Sequence, residues 1–479
     1  MRRLSRGNYR GVDEVLQLIA GVWAPGGSGR RLTVLNPADD QPVTVVPVAG
    51  RADVAAAVRA ARAAAPGWAA TAPAARAASL HAAASALEAA GAELAETMSA
   101  EMGKPVDEAR DTVAAGVATL RQYAELGPTH RGQALAGDHQ AVDLMAHAPR
   151  GVVAVITPWN DPVAVSCGLL GAALVTGNSV IYKPSERTPA TGWRLARLLA
   201  PHLPDGVLGL LHGEGPVGAA LADADVDVVA HVGSTAAGRS IAAACARTGA
   251  KALLENGGSD PLIVDARIDP VWAAEQAALG AFANTGQICV SVERIYAHRS
   301  LVQPFLDALA EQADRWAPRL GPLVDRRLRT VVDEQVQHAR TDGARALRGA
   351  VLPAGPGAYY PPTVLADCTD EMAVMCEETF GPVAPVAVVD SFEDALARAA
   401  ESPYGLAATV LTRSMSHAQQ AWRTLPVGTV KVNSVFGGAP GGAAHPRRGS
   451  GQGFGYGPEL LDELTVTKVA HLQAPPSGW

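Results

Sequence analysis

The chain has 479 residues, 48% of them hydrophobic and 18% charged, with a formal net charge of -7. Such a length exceeds what one hydrophobic core usually serves, so two or more domains are expected, and the composition excludes long disordered tracts. The acidic balance offers no basic face to replace phosphate counterions, which excludes nucleic acid as an expected partner.

The N-terminal stretch "MRRLSRGNYR" is basic but lacks the apolar core and small-residue cleavage site of a signal peptide, so a cytoplasmic protein is expected. From Val45 to about Gly91, "ADVAAAVRAARAAAPGW" and "AARAASLHAAASALEAA" place apolar residues at helical spacing and predict helices packed through small side chains. "RGQALAGDHQAVDLMAHAPR" then alternates polar and apolar residues, as does "LTVTKVAHLQA" near the C-terminus, and both read as peripheral strands.

Between Gly151 and Gly257, short β-branched runs alternate with helical stretches: "GVVAVITPWN", "SVIYKPSE", "GVLGLLHGEG", "VDVVAHVGST" and "KALLENGG". This cadence predicts a parallel sheet covered on both faces, with ligands bound beyond the carboxyl ends of its strands. The near-apolar run Pro162 to Thr176 is shorter than the roughly 18 residues of a membrane span and reads as a buried helix, so no membrane is expected. From about Ser259, "PLIVDA", "ERIYAHR", "VAPVAVV" and "LAATVLTR" repeat the alternation and predict a second α/β unit. The five cysteines, Cys167, Cys245, Cys289, Cys368 and Cys376, are odd in number and form no CxxC pair, which predicts neither a disulfide framework nor a metal site.

Several of these strand ends carry reactive groups. Gly233 and Ser234 in "VGSTAAGRS" stand where a strand turns into a helix, a place that suits a phosphate or is simply a turn. Lys183 and Glu186 in "YKPSE" are either two solvated charges or a ribose clamp whose carboxylate accepts hydroxyls and repels a 2′-phosphate. Asn160, after Trp159 in "ITPWN", is placed to donate to an oxyanion. Glu255 in "LLENGG" is an acid in apolar surroundings, whose burial would raise its pKa and make it a general base. Cys289 in "ANTGQICVSVER" is either a small buried hydrophobe or a nucleophile.

Taken together, in order and spacing, "TPWN", "KPSE", "GSTAAG", "LENGG", "FANTGQIC" and "EETFGPV" resemble the aldehyde dehydrogenase superfamily from about Gly21 to about His471. The resemblance implies an NAD(P)-dependent, hydrolytic, non-acylating enzyme with a Rossmann-like parallel-sheet cofactor domain, a second α/β catalytic domain and a small oligomerisation β-element. The cofactor domain would be 1–128 with 148–256, the catalytic domain 257–436, and the oligomerisation strands and tail 129–147 and 458–479. Cys289 would be the nucleophile, Glu255 the base, and Asn160 with the Cys289 N–H the oxyanion hole. Trp159, Lys183, Glu186, Gly215, Gly233, Ser234, Glu378 and Phe380 would hold NAD, preferred over NADP through Glu186. Glu378 would take the nicotinamide-side ribose hydroxyls. A homodimer or homotetramer acting on a small-molecule aldehyde is implied.

Asp161, Val165, Gly168, Ile288 and Val290 are expected in the substrate pocket. Asp161 replaces a frequent aromatic, and either favours an aldehyde bearing an amine or hydroxyl or turns away to cap the following helix. The chain also departs from the family pattern at Asn256, at Ser259 and in "AAHPRRGSGQGFGYG", so the loop from about Phe436 to Arg447 has no expected conformation. A CoA-acylating semialdehyde dehydrogenase, or a catalytically silent binding protein of the same fold, is the alternative. The first typically lacks the base that Glu255 supplies, and the second has no need for thiol, acid and amide together.

Overall fold

The computed structural model describes residues 13–437 and 443–475. The "MRRLSRGNYR" segment, residues 438–442 of the loop from Phe436 to Arg447, and 476–479 of the C-terminal tail lie outside the described residues.

The β-branched runs from Gly151 to Gly257 become five parallel strands, in the spatial order Leu208–Leu210, Ser179–Lys183, Val152–Ile156, Val228–Val232 and Lys251–Glu255. Four of the five are buried along their whole length, as continuous apolar runs require when both faces of a sheet are covered. Antiparallel edges complete an eight-stranded sheet: Gln17–Ile19 and Val22–Ala24 on one side, Gly451–Gln452 on the other. One face packs on Leu80, Leu87, Leu120, Tyr123 and Leu170, the other on Val54, Val58, Val217 and Ile241. Each such fully buried side chain stabilises the fold by about 1.5–3 kcal/mol relative to exposure.

The run from Pro162 is the helix Ala164–Val175, buried along all sides from Ser166 onward. The alanine-rich helices are Arg51–Ala70 and Pro73–Ala89. The first of them starts six residues later than the sequence predicts, because "PVTVVP" is β-branched and forms the strand Pro42–Pro47.

The second sheet has seven strands, in the order Arg345–Arg348, Thr363–Ala366, Val383–Val389, Val292–His298, Asp260–Val264, Ala407–Leu411 and Thr429–Val432. All its pairings are parallel except that of the first strand. A separate small sheet joins Gln133–Leu135, Ala141–Pro149 and Thr465–Gln473. Among the described residues no helix is long and apolar enough to cross a membrane.

In the first sheet the chain runs outward from Val152–Ile156 in one direction and then returns to build the other half from Val228–Val232. The crevice beyond the carboxyl ends of those two neighbouring strands is therefore a topological switch point, where open α/β sheets bind their ligands.

Candidate active site

The stretch around Cys289 is a strained turn held by its own polar residues. After the helix Pro270–Phe282, Asn284 and Thr285 adopt left-handed conformations with φ of 48° and 58°, costly for a β-branched residue. Hydrogen bonds fix them there. Thr285 Oγ1 donates to the Gly321 carbonyl at 3.1 Å, and Gln287 Nε2 to the Asn284 carbonyl at 3.0 Å. Gln287 Oε1 in turn accepts from the Val324 N–H at 2.9 Å. The turn presents Cys289, half-buried, at the amino end of the strand Val292–His298.

Asn160 reaches the same loop from beyond the strand Val152–Ile156, its Nδ2 donating to the Gln287 carbonyl at 3.0 Å. Glu255 ends the strand Lys251–Glu255, whose edge partner is Gly451–Gln452. A Cβ on Gly455 would lie 2.5 Å from Glu255 Oε2, so only glycine leaves that carboxylate its place. The unusual C-terminal segment thus walls in the acid. It is tied to "ENGG" by Ser450 Oγ donating to the Gly257 carbonyl at 2.8 Å and by Asn256 Nδ2 donating to the Gly449 carbonyl at 3.0 Å.

Burial raises the pKa of Glu255, as a resting general base requires. Burial also pushes the Cys289 thiol well above its ordinary range, and the carboxyls of Glu255, Asp260, Glu378 and Asp161 push it further. All four acids therefore lie within electrostatic reach of the sulfur.

Asp260 and Glu293 were not singled out by the sequence reading. Asp260, raised to about 7 by burial, starts the strand Asp260–Val264 and accepts from the Ala407 N–H at 3.1 Å. Glu293 accepts from the N–H groups of Thr379 at 3.0 Å and Phe380 at 2.8 Å, fixing the loop on which Phe380 has a φ of 53°. A signal existed in each case, since Asp260 opens and Glu293 interrupts a strand whose neighbours are mostly apolar, and a buried acid is rarely left unpaired.

Trp159, Lys183, Glu186, Gly215, Gly233 and Ser234 line one cavity of about 440 Å³ at the switch point. Ser234 caps the helix Thr235–Thr248, leaving a helix N-terminus open to an anion. A Cβ on Gly215 would meet nothing within 4 Å, so this wall is open space rather than packing. Lys183 Nζ lies 3.9 Å from Glu186, whose side chain is 40% exposed. Phe380 meets Trp159 edge to face at 5.5 Å between ring centres. These features fit a dinucleotide. Glu378 is not among that cavity's lining residues: Gly258 N–H donates to its Oε1 at 3.0 Å, and burial holds its pKa at about 7.

Of the residues expected in a substrate pocket, Ile288 and Val290 flank the thiol half-buried, and Val165 is half-buried on the helix Ala164–Val175. Gly168 is buried, and a Cβ there would meet only a Thr119 methyl, at 3.9 Å. Asp161 Oδ1 accepts from the Ala164 N–H at 3.4 Å, and burial raises its pKa against the opposing charge of Lys104. Lys104, itself buried, donates to Thr112 Oγ1 at 3.2 Å. Asp161 thus engages the start of the following helix and has a protein cation as its counter-charge.

Comparison with known proteins agrees with this architecture. The model of the aldehyde dehydrogenase family matches residues 23–470. The chain is 34% identical to a mitochondrial aldehyde dehydrogenase of Leishmania tarentolae, over 95% of this chain and 94% of that one. It is 32% identical to the NADP(+) succinate-semialdehyde dehydrogenase of Escherichia coli strain K12, over 87% and 89% respectively. Its structure is similar to that of an NAD-dependent aldehyde dehydrogenase from Sinorhizobium meliloti, with a TM-score of 0.94 at 31% identity, covering 98% of this chain and 97% of that one. A parallel-sheet fold of that type, matched in sequence over nearly its whole length, makes this chain a member of the aldehyde dehydrogenase family.

Proposed function

We propose that this enzyme oxidises an aldehyde to a carboxylic acid with NAD, through a covalent Cys289 intermediate. One observation supports it above all. Cys289, Glu255 and Asn160 come from three separate elements and meet at one loop, with Glu255 in electrostatic reach of the sulfur and Asn160 bonded two residues before it.

The Cys289 thiol gives its proton to solvent and the thiolate adds to the aldehyde carbon, breaking the carbonyl π bond, and the resulting oxyanion is received by the Asn160 amide and the Cys289 N–H. When bound by Trp159, Lys183, Glu186, Gly215, Gly233 and Ser234, with Phe380 and Glu378 nearby, NAD supplies the hydride acceptor. Loss of hydride leaves the acyl group on Cys289 as a thioester. Glu255 takes a proton from water, the hydroxide adds to the thioester carbon, and the Cys289 sulfur leaves with the bonding pair. The acid departs and the thiolate is restored.

Members of the family use NAD or NADP. Glu186 supports NAD here, because a carboxylate at the ribose end of the cavity accepts a 2′-hydroxyl and repels a 2′-phosphate. The first sheet with its helices would form the cofactor domain and the second the catalytic domain. The small sheet leaves Val142, Leu144, Val469 and Leu472 exposed, which supports a homodimer or homotetramer built on that surface.

The purified chain with NAD and an aldehyde panel, with and without CoA, tests the reading. The expected product is the free acid, at a rate CoA does not change. Product formed only as acyl-CoA would assign the acylating class instead, and no NADH with any aldehyde would reject oxidation.

A further inference from the structure

Among the acids gathered about Cys289 lie cations that the mechanism does not use: Lys104 faces Asp161, and Arg294 and Lys431 face Asp260. Lys431 stands in "TVKV", the last strand of the second sheet, with its side chain half-buried. Its ammonium donates to the Val435 carbonyl at 2.6 Å and lies 5.6 Å from the centre of the Phe436 ring. Val435 is 1% exposed, and its methyl would lie 3.3 Å from a Cβ on Gly280, which would also touch Val292. The hook back to Val435 therefore holds Lys431 against the helix end and strand start that bracket the Cys289 loop. Burial lowers its pKa, and Asp260 and Cys289, in their ionised forms, are the two groups that favour the ammonium against that burial.

No carboxylate of the described residues lies within 4.0 Å of this ammonium, whereas Asp161 already has Lys104 as its counter-charge. An ammonium has three donors, and one carbonyl occupies one of them. The acids that would cancel the charge are themselves driven toward their neutral forms by burial: Asp260, Glu255 and Glu378. Near the nucleophile there remains a half-buried cation with N–H donors that meet no acceptor among the described residues, a receptor for an anionic group.

We propose that Lys431 selects aldehydes that carry a carboxylate, receiving that carboxylate on its ammonium while the aldehyde carbon meets Cys289. The proposal rests on the aldehyde-oxidising reading above and names the substrate class for the same site. It makes Lys431 a specificity-determining residue and leaves the bond-making steps to Cys289, Asn160 and Glu255.

Two measurements on the full-length protein test it. The first compares kcat/KM for 4-oxobutanoate and for butanal, equal in chain length and differing by the carboxylate, in wild type, Lys431→Met and Lys431→Arg. Wild type is expected to favour 4-oxobutanoate. Lys431→Met is expected to lower its kcat/KM by about 10- to 100-fold, the weight of a hydrogen bond to a charged group, with butanal changed less than about threefold. Lys431→Arg is expected to keep most of the preference.

The second reads the Cys289 peptide by mass spectrometry after alkylation with iodoacetate or with neutral iodoacetamide, and needs no turnover. The iodoacetate-to-iodoacetamide rate ratio should fall by about tenfold in Lys431→Met. Equal loss with both aldehydes and an unchanged alkylation ratio would make Lys431 a structural partner of Asp260 and overturn the proposal. A wild type that makes no NADH with these or any other aldehyde of the panel, but whose alkylation ratio still depends on Lys431, would overturn the oxidation reading while the anion-selecting lysine stands.

Discussion

The side-chain amide of Asn160 donates to the main-chain carbonyl of Gln287 at 3.0 Å, tying the end of a strand in the first sheet to the loop that presents Cys289. This one contact fixes the position of an amide donor relative to the sulfur, across 127 residues of chain. If Asn160 serves the oxyanion, Asn160→Ala lowers kcat by about 10²–10³-fold, the usual cost of one such donor. Single-turnover kinetics should place the loss in the steps up to NADH formation. A loss confined to KM for the aldehyde would make the residue a tether only.

Replacing Cys289 with Ala is expected to reduce aldehyde oxidation by about 10³-fold or more while NAD affinity stays within a few-fold, since the cofactor cavity is lined by other residues. Steady-state turnover with calorimetric NAD titration separates the two effects. Near-normal turnover in the variant would remove the covalent mechanism.

Glu255→Gln should preserve one burst of NADH and slow the following steady phase by about 10²–10⁴-fold, because the Cys289 proton goes to solvent, the thiolate then forms the thioester without Glu255, and hydrolysis needs a base to activate water. The pH dependence follows from burial. Glu255 works as a base only when deprotonated, and its pKa is raised, so the wild-type steady rate climbs with pH through a range above that of an ordinary carboxylic acid. The Gln variant should lose that limb. Stopped-flow traces across pH give both results, and proportional loss of burst and steady phase would disprove the assignment.

For Glu186→Ser, the ratio of kcat/KM with NAD to that with NADP is expected to fall by about tenfold, as a charge-assisted acceptor for the 2′-hydroxyl and a repulsive charge are removed together. An unchanged ratio would leave cofactor choice to some other residue.

Glu293→Ala strips the buried N–H groups of Thr379 and Phe380 of their acceptor, at about 1–3 kcal/mol for each left unpaired. Thermal unfolding should show the loss of stability. Because Phe380 packs on Trp159 at the cofactor cavity, KM for NAD should rise severalfold as well. A variant with normal Tm and KM would show that the loop holds its shape without this carboxyl group.

The α/β class was legible in the sequence because a strand buried on both faces reads as a near-continuous apolar run, and the five runs from Gly151 to Gly257 became the five central parallel strands of the first sheet. That Trp159, Lys183, Glu186, Gly233 and Ser234 line one cavity was legible for a related reason: each ends or follows a strand, and local order alone puts strand ends at the crevice of such a sheet. The strand "PVTVVP" escaped notice: it was partly absorbed into the alanine-rich helix that follows, because its last apolar residues run on into that helix's own apolar pattern.

What only the tertiary structure decided are pairings between residues far apart in the chain. Glu293 meets residues 86 and 87 positions away, and the Gly449–Gly455 segment closes over Glu255 and Gly257 from nearly two hundred positions away. Asp161 shows the same limit, since its sequence leaves open whether it faces a substrate or a helix, and the buried Lys104 across from it is invisible to local pattern. The physical reason is that periodicity and strand-end position are properties of neighbouring residues. The sign and burial of a charge's partner depend on which elements the core brings face to face.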